Sequence, residues 1–179
     1  MKILIVTQTF PPREGGMQSV MKSLAIKLSK NNQVIVIPDH KVRNFNSSNN
    51  VSVEIIAPKL PKIIRAVFKR YKIAKIINPK DIIICDSWKS IASIPKNISN
   101  MIVVMAHGQE YLNNNKTLRI NEALSRATVL IANSAFTLGL VNQQLNLPKL
   151  EKYIIPPTYS LPVDIPIFNK KPNQKVRLL

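Results

Sequence analysis

Short runs of consecutive apolar, mostly β-branched residues alternate along this chain with longer stretches in which apolar positions recur every three or four residues. The first run, residues 2–7, carries Ile3, Leu4, Ile5 and Val6 without a polar interruption, which predicts a strand buried on both faces. Phe10-Pro11-Pro12 and Gly15-Gly16 break it. Residues 17–28 then place Met17, Val20, Met21, Leu24, Ala25 and Leu28 on one stripe, the spacing of an amphipathic helix. Residues 34–37 and 51–56 predict the second and third strands, with a polar, Asn/Ser-rich loop over 40–50 between them. Residues 60–78 predict a second helix. Its apolar stripe, through Ile64, Val67, Phe68 and Tyr71, is expected against the sheet. Its other face carries Lys62, Arg65, Lys69 and Lys72 and is expected in solvent.

Residues 81–85, 101–106, 128–132 and 153–155 complete a set of about seven strands. Between them lie a short helix after Asp86-Ser87, a helix over 117–126, and one capped by Asn133-Ser134 that runs to 144. Short apolar strands alternating with helices predict the α/β class: a Rossmann-like parallel sheet with helices on both faces and the first strand central. Residues 1–157 form one such domain, and the Pro-rich stretch 158–179 reads as a tail or the start of a linker.

Composition narrows this picture. With 45% hydrophobic and 20% charged residues the chain is globular. Its one cysteine, Cys85, excludes an intramolecular disulfide and a thiolate-rich metal site, which points to a reducing compartment. The opening Met1–Lys2 and its short apolar run do not make a signal peptide, and no apolar stretch approaches the roughly 20 residues of a spanning helix. A cytoplasmic protein, or one peripheral to the inner membrane surface, is expected. Twenty-six Lys and Arg against nine Asp and Glu give a net charge of +17. Such a field attracts anionic lipid, phosphorylated substrates or nucleic acid. No aromatic single-strand platform or DNA-reading motif accompanies it, so nucleic acid is not expected as a partner. The chain is also rich in Lys, Ile and Asn, so part of the charge is compositional background.

Ligands of open parallel sheets bind beyond the carboxyl ends of the strands. Gly15, Gly16, Asp86, His107, Glu110, Asn133 and Ser134 all follow strands. The Gly15-Gly16 pair lets a backbone approach a phosphate at a helix start, or simply makes a tight turn; it is neither G-x-G-x-x-G nor a Walker loop. His107 can donate to a substrate hydroxyl or phosphate or shuttle a proton, or it can be a strand-end histidine bonded to backbone. Asp86 and the Asn133-Ser134 pair are read as helix caps, and Cys85 as inert packing. Two histidines and one cysteine, far apart, make no zinc site, and no G-x-S-x-G marks a nucleophilic serine.

Several of these segments, taken in order, resemble family 4 glycosyltransferases. The stretch from Thr7 through Phe10-Pro11-Pro12, Gly15-Gly16 and Leu24-Ala25 to Val34 resembles that family's opening. The run Asn78-Pro79 to Trp88, the His107-Gly108-Gln109-Glu110 segment, the stretch from Leu124 to Thr137 and Ile154-Ile155-Pro156-Pro157 resemble later motifs of it. Thr128 stands where that family usually has Asp, and Thr158 where Gly follows Pro-Pro. The resemblance covers about residues 1–160 and implies the acceptor-side domain of an enzyme with two Rossmann-like domains. No Glu-x7-Glu motif of the donor-binding domain occurs here.

What the resemblance implies is a retaining transfer of sugar from a nucleotide-sugar, as substrate, to a glycan or lipid-linked acceptor, with no cofactor or required metal. The missing C-terminal donor-binding domain would be a partner, and the chain alone would be inactive. His107 would be catalytic, through a hydroxyl contact with the transferred sugar; Gly15, Gly16 and Glu110 would bind substrate. Lys62, Arg65, Lys69 and Lys72 would meet an anionic membrane or the acceptor. The reading that stays open beside it is a lone, non-catalytic α/β domain that binds anionic ligands.

Overall fold

The computed structural model describes residues 1–12, 15–42, 53–58, 60–112 and 114–157. Seven strands form one sheet: β1 (Lys2–Thr7), β2 (Gln33–Pro38), β3 (Val53–Ile55), β4 (Ile82–Cys85), β5 (Met101–Ala106), β6 (Val129–Ala132) and β7 (Glu151–Ile154). Their order is β3-β2-β1-β4-β5-β6-β7 and every pairing is parallel. In register, Ile5 lies between Val36 of β2 and Ile84 of β4. The first strand is central, as its unbroken apolar run requires: Leu4, Ile5 and Val6 are wholly buried.

Alternation along the strands divides the core in two. Ile3 and Ile5 of β1, with Val34 and Val36 of β2, meet Met21 and Ala25 of α1 (Gly16–Leu28) on one face. Phe10 joins them, fully buried, so the loop after β1 is anchored by its aromatic residue. Leu4, Val6, Ile83, Val104 and Leu130 face the other side. There they meet α2 (Lys62–Ile76) through Ile73 and α3 (Trp88–Ile91) through Trp88 and Ile91. On the same side they meet α4 (Thr117–Leu124) through Ile120 and Leu124, and α5 (Ala135–Gln144) through Val141. A Rossmann-like sheet with helices on both faces is thus present.

Two local expectations are corrected. The first concerns α2, which is turned about its axis relative to its apolar stripe. Val67 and Tyr71 are 62% and 54% exposed and Ile64 is exposed too, whereas Lys69 is wholly buried. The ammonium of Lys69 is ion-paired with Asp39, just beyond β2, and donates to the Thr7 carbonyl at 3.3 Å. Arg65 donates to the carbonyls of Asp39 and Leu60 at 2.8 Å. The carboxyl ends of β1 and β2 therefore draw these cations inward. Arg65 and Lys69 do not belong to a solvated cationic face; the side chain of Lys62 lies outside the described residues.

The second correction concerns Asp86. Ser87, not Asp86, stands at the N-cap of α3, and no side chain caps that helix. Asp86 turns its carboxylate toward the loop after β1 instead, as described below. Ser134 does cap α5, accepting from the Thr137 amide at 3.2 Å. The stretch expected as a tail, 158–179, and most of the 40–50 loop lie outside the described residues. No helix among the described residues is long and apolar enough to cross a membrane.

Candidate functional site

A cleft of about 680 Å³ opens over the carboxyl ends of the strands, at the point where the chain order reverses between β1 and β4. Gln8 and Thr9 line it after β1, Ser87 and Lys89 after β4, His107 and Glu110 after β5, Asn133 after β6 and Ile155 after β7. Gly16, Met17 and Val20 of α1 form one wall, and Met105 and Ile131 add apolar surface from the sheet.

The glycines divide their work. Gly15 caps α1 at φ 152°, and a Cβ there would stand 2.5 Å from Oε1 of Gln18. Its role is conformational. Gly16 has nothing within 4 Å of where a Cβ would sit, and it lines the cleft. The first turn of α1, with its free N–H groups and partial positive charge, therefore faces open space that a ligand can fill. Of the pair, Gly16 is at the cleft and Gly15 shapes the approach to it.

His107 closes the opposite side. Its Nε2 lies 2.8 Å from the backbone carbonyl of Asp86. A carbonyl only accepts, so Nε2 carries the proton and Nδ1 of the neutral ring keeps its lone pair. Burial lowers the His107 pKa from its ordinary value, against the opposing pull of the Asp86 carbonyl and carboxylate. The ring is consequently neutral near pH 7. His107 is thus bonded to backbone, and it also lines the cleft.

Asp86 is buried, and its Oδ2 accepts from Thr7 Oγ1 at 2.8 Å, the Gln8 amide at 2.7 Å, and the Thr9 amide and Oγ1 at 3.1 and 2.9 Å. Oδ1 accepts from Ser90 Oγ at 2.6 Å. Five donors satisfy a buried carboxylate that would otherwise be costly to bury. They also fold the loop after β1 onto the loop after β4.

Gly108, at φ 93°, turns the chain sharply after His107, and a Cβ on it would meet Thr137 Oγ1 at 2.9 Å. This turn returns Glu110 toward the strand end, where Oε1 accepts from the His107 amide at 3.4 Å. Burial pushes the Glu110 carboxyl up to about 7, although that amide and the charge of Lys89 favour its ionised form. Glu110 therefore exchanges a proton near neutrality, in a cleft, beside a neutral histidine. Lys89 and Lys116 place two cations on the same cleft, and neither was singled out by sequence pattern. The signal available was position alone, since each lies in the chain that follows a strand. Cys85 is buried within β4, and burial pushes its thiol well above the ordinary range, which makes it packing.

No protein-family model matches the chain, and no curated protein matches its sequence. Among solved structures, it is similar to Anabaena Alr3699/HepE in complex with UDP-glucose. The TM-score is 0.60 at 15% identity, over 89% of this chain and 44% of that one. The two share a fold. The chain thus spans less than half the length of that solved structure. That neighbour carries a nucleotide-sugar; here the same fold puts the Gly16 turn and His107 on one cleft.

Proposed function

We propose that this chain is the acceptor-side half of a retaining glycosyltransferase, inactive until a donor-binding half completes the cleft. In this reading it moves a sugar from a nucleotide-sugar to a glycan or lipid-linked acceptor. The observation that carries the reading is the cleft at the β1/β4 switch point. A helix start with open space over Gly16 faces a neutral histidine and a proton-exchanging glutamate across it. The helix start and the cations of Lys89 and Lys116 suit a diphosphate. His107 suits a sugar hydroxyl, and Glu110 a group that gains or loses a proton. Similarity in fold to a structure that holds UDP-glucose supports the ligand class.

The protein works at the inner membrane surface in this proposal. The surface that meets lipid is the exposed Ile64, Val67 and Tyr71 of α2, with Lys75 4.6 Å from the Tyr71 ring centre. Apolar side chains enter the headgroup boundary and the neighbouring cations meet anionic lipid.

Titration of the labelled chain with UDP-glucose and other nucleotide-sugars, followed by amide shifts, tests the site. Shifts should centre on Gly16 and His107, and incubation with membrane extract should give no transfer. Robust transfer by the chain alone would sink the half-enzyme reading, and an unresponsive cleft would sink the sugar reading. In an enzyme completed by a donor-binding half, His107→Ala should lower turnover by roughly 10²–10⁴-fold.

A further inference from the structure

Two walls of the cleft meet at a single residue. The carboxylate of Asp86 holds Thr7 at the end of β1 and Gln8 and Thr9 of the loop after it through four hydrogen bonds to Oδ2. Its backbone carbonyl receives the Nε2 proton of His107 from the loop after β5. The residue itself cannot turn freely. Its amide donates to the Val6 carbonyl at 3.4 Å, and Ser90 holds the second carboxylate oxygen at 2.6 Å. Asp86 is therefore held from the side-chain end and the amide end together, next to the carbonyl that meets His107. The ring nitrogen that this carbonyl engages decides what the other can do.

We propose that Asp86 is the positioning residue of the cleft: its carbonyl locks His107 as the Nε2–H tautomer, leaving Nδ1 as an acceptor for a ligand hydroxyl. The assignment to a ligand rests on the sugar-transfer reading; the lock itself does not. His107 then reads a hydroxyl, which can donate to Nδ1, and not an ionised phosphate, which cannot. Phosphate recognition falls to the helix start at Gly16 and to the lysines of the cleft. Because the same carboxylate holds Gln8 and Thr9, a disturbance of Asp86 reaches both walls at once.

The imidazole N–H signals of the labelled chain test the lock without any ligand. The chain has two histidines, so loss of a signal in His107→Ala assigns it. His107 should show an Nε2–H proton protected from exchange with water. In Asp86→Asn, which retains the size of the side chain but replaces one acceptor oxygen by a donor, that proton should exchange about tenfold faster or more, the change expected when roughly one hydrogen bond of support is lost. Ser90→Ala removes a single donor to Oδ1 and should speed exchange in the same direction by less; it decides the matter if the Asn variant does not fold. Absence of a protected Nε2–H in the parent overturns the proposal. So does exchange at the parent's rate in a folded variant. UDP-glucose should move the Nδ1 nitrogen signal of His107, and UDP, which lacks the glucose hydroxyls, should not. An equal response to both refutes the hydroxyl assignment. If neither ligand moves any cleft signal, the sugar reading fails while the exchange result still judges Asp86.

Discussion

Replacing Glu110 by Gln separates the electrostatic cost of this cleft from its shape. Burial holds the Glu110 carboxyl at about 7 against an ordinary 4.5. The folded state therefore binds the Glu110 proton more tightly than the unfolded chain does. Below pH ~4.5 both states carry the proton and the residue costs nothing. As pH rises to about 7 the unfolded chain ionises freely while the folded one resists, and stability falls. The full difference is about 3 kcal/mol. Gln has the same shape and no proton to lose, so Glu110→Gln removes the pH-dependent cost. Urea denaturation of both proteins from pH 4 to 8 measures it, with the free-energy difference taken at each pH. His107, whose lowered pKa makes it destabilising as pH falls below its ordinary value, is common to both and cancels. The Gln variant should gain on the parent steadily with pH, by about 3 kcal/mol at the alkaline end, or about 6–12 °C in Tm for a chain of this size. A difference that does not change with pH would mean that Glu110 ionises in the folded protein as it does in water. Its place as a proton-exchanging group in the cleft would then be lost.

Gly108→Ala should cost about 1–3 kcal/mol, because φ 93° is strained for alanine and its Cβ meets Thr137 Oγ1, whereas Gly16→Ala should leave stability unchanged or higher; denaturation curves compare them. Asp39→Ala should destabilise by about 3 kcal/mol, since it leaves the buried Lys69 ammonium without its counter-charge; retained stability would show that the Asp39 pairing is not what holds Lys69 beneath α2. Co-sedimentation with anionic vesicles should weaken in Val67→Gln and Tyr71→Gln and fall with salt; equal binding by these variants would assign the attraction to the +17 net charge and not to α2.

The strands and their parallel arrangement were legible in the sequence. Residues 2–7 and 101–106 are strands at both boundaries, and the cap at Ser134 and the end of α5 at Gln144 fall where pattern puts them. Runs of β-branched residues and local capping chemistry act over a few residues, so a sequence displays them directly. The rule that ligands lie beyond strand ends likewise pointed to Gly16, His107 and Glu110, all of which line one cleft. What pattern alone misread depends on partners far away in the chain. Ile64, Val67 and Tyr71 look like a core stripe, yet α2 turns them outward, because Asp39 and the Thr7 carbonyl hold Lys69 beneath the helix. Asp86 reads as a cap from its neighbours, yet residues 77–79 positions earlier in the sequence supply four of its hydrogen bonds. The tautomer of His107 is decided by a carbonyl 21 residues away, and the pKa of Glu110 by burial that no single segment provides. Local sequence determined where the backbone runs extended or helical. Electrostatic and hydrogen-bond partners from separate strands, brought within reach only by the parallel sheet, decided which way each charged side chain faces and what it can do there.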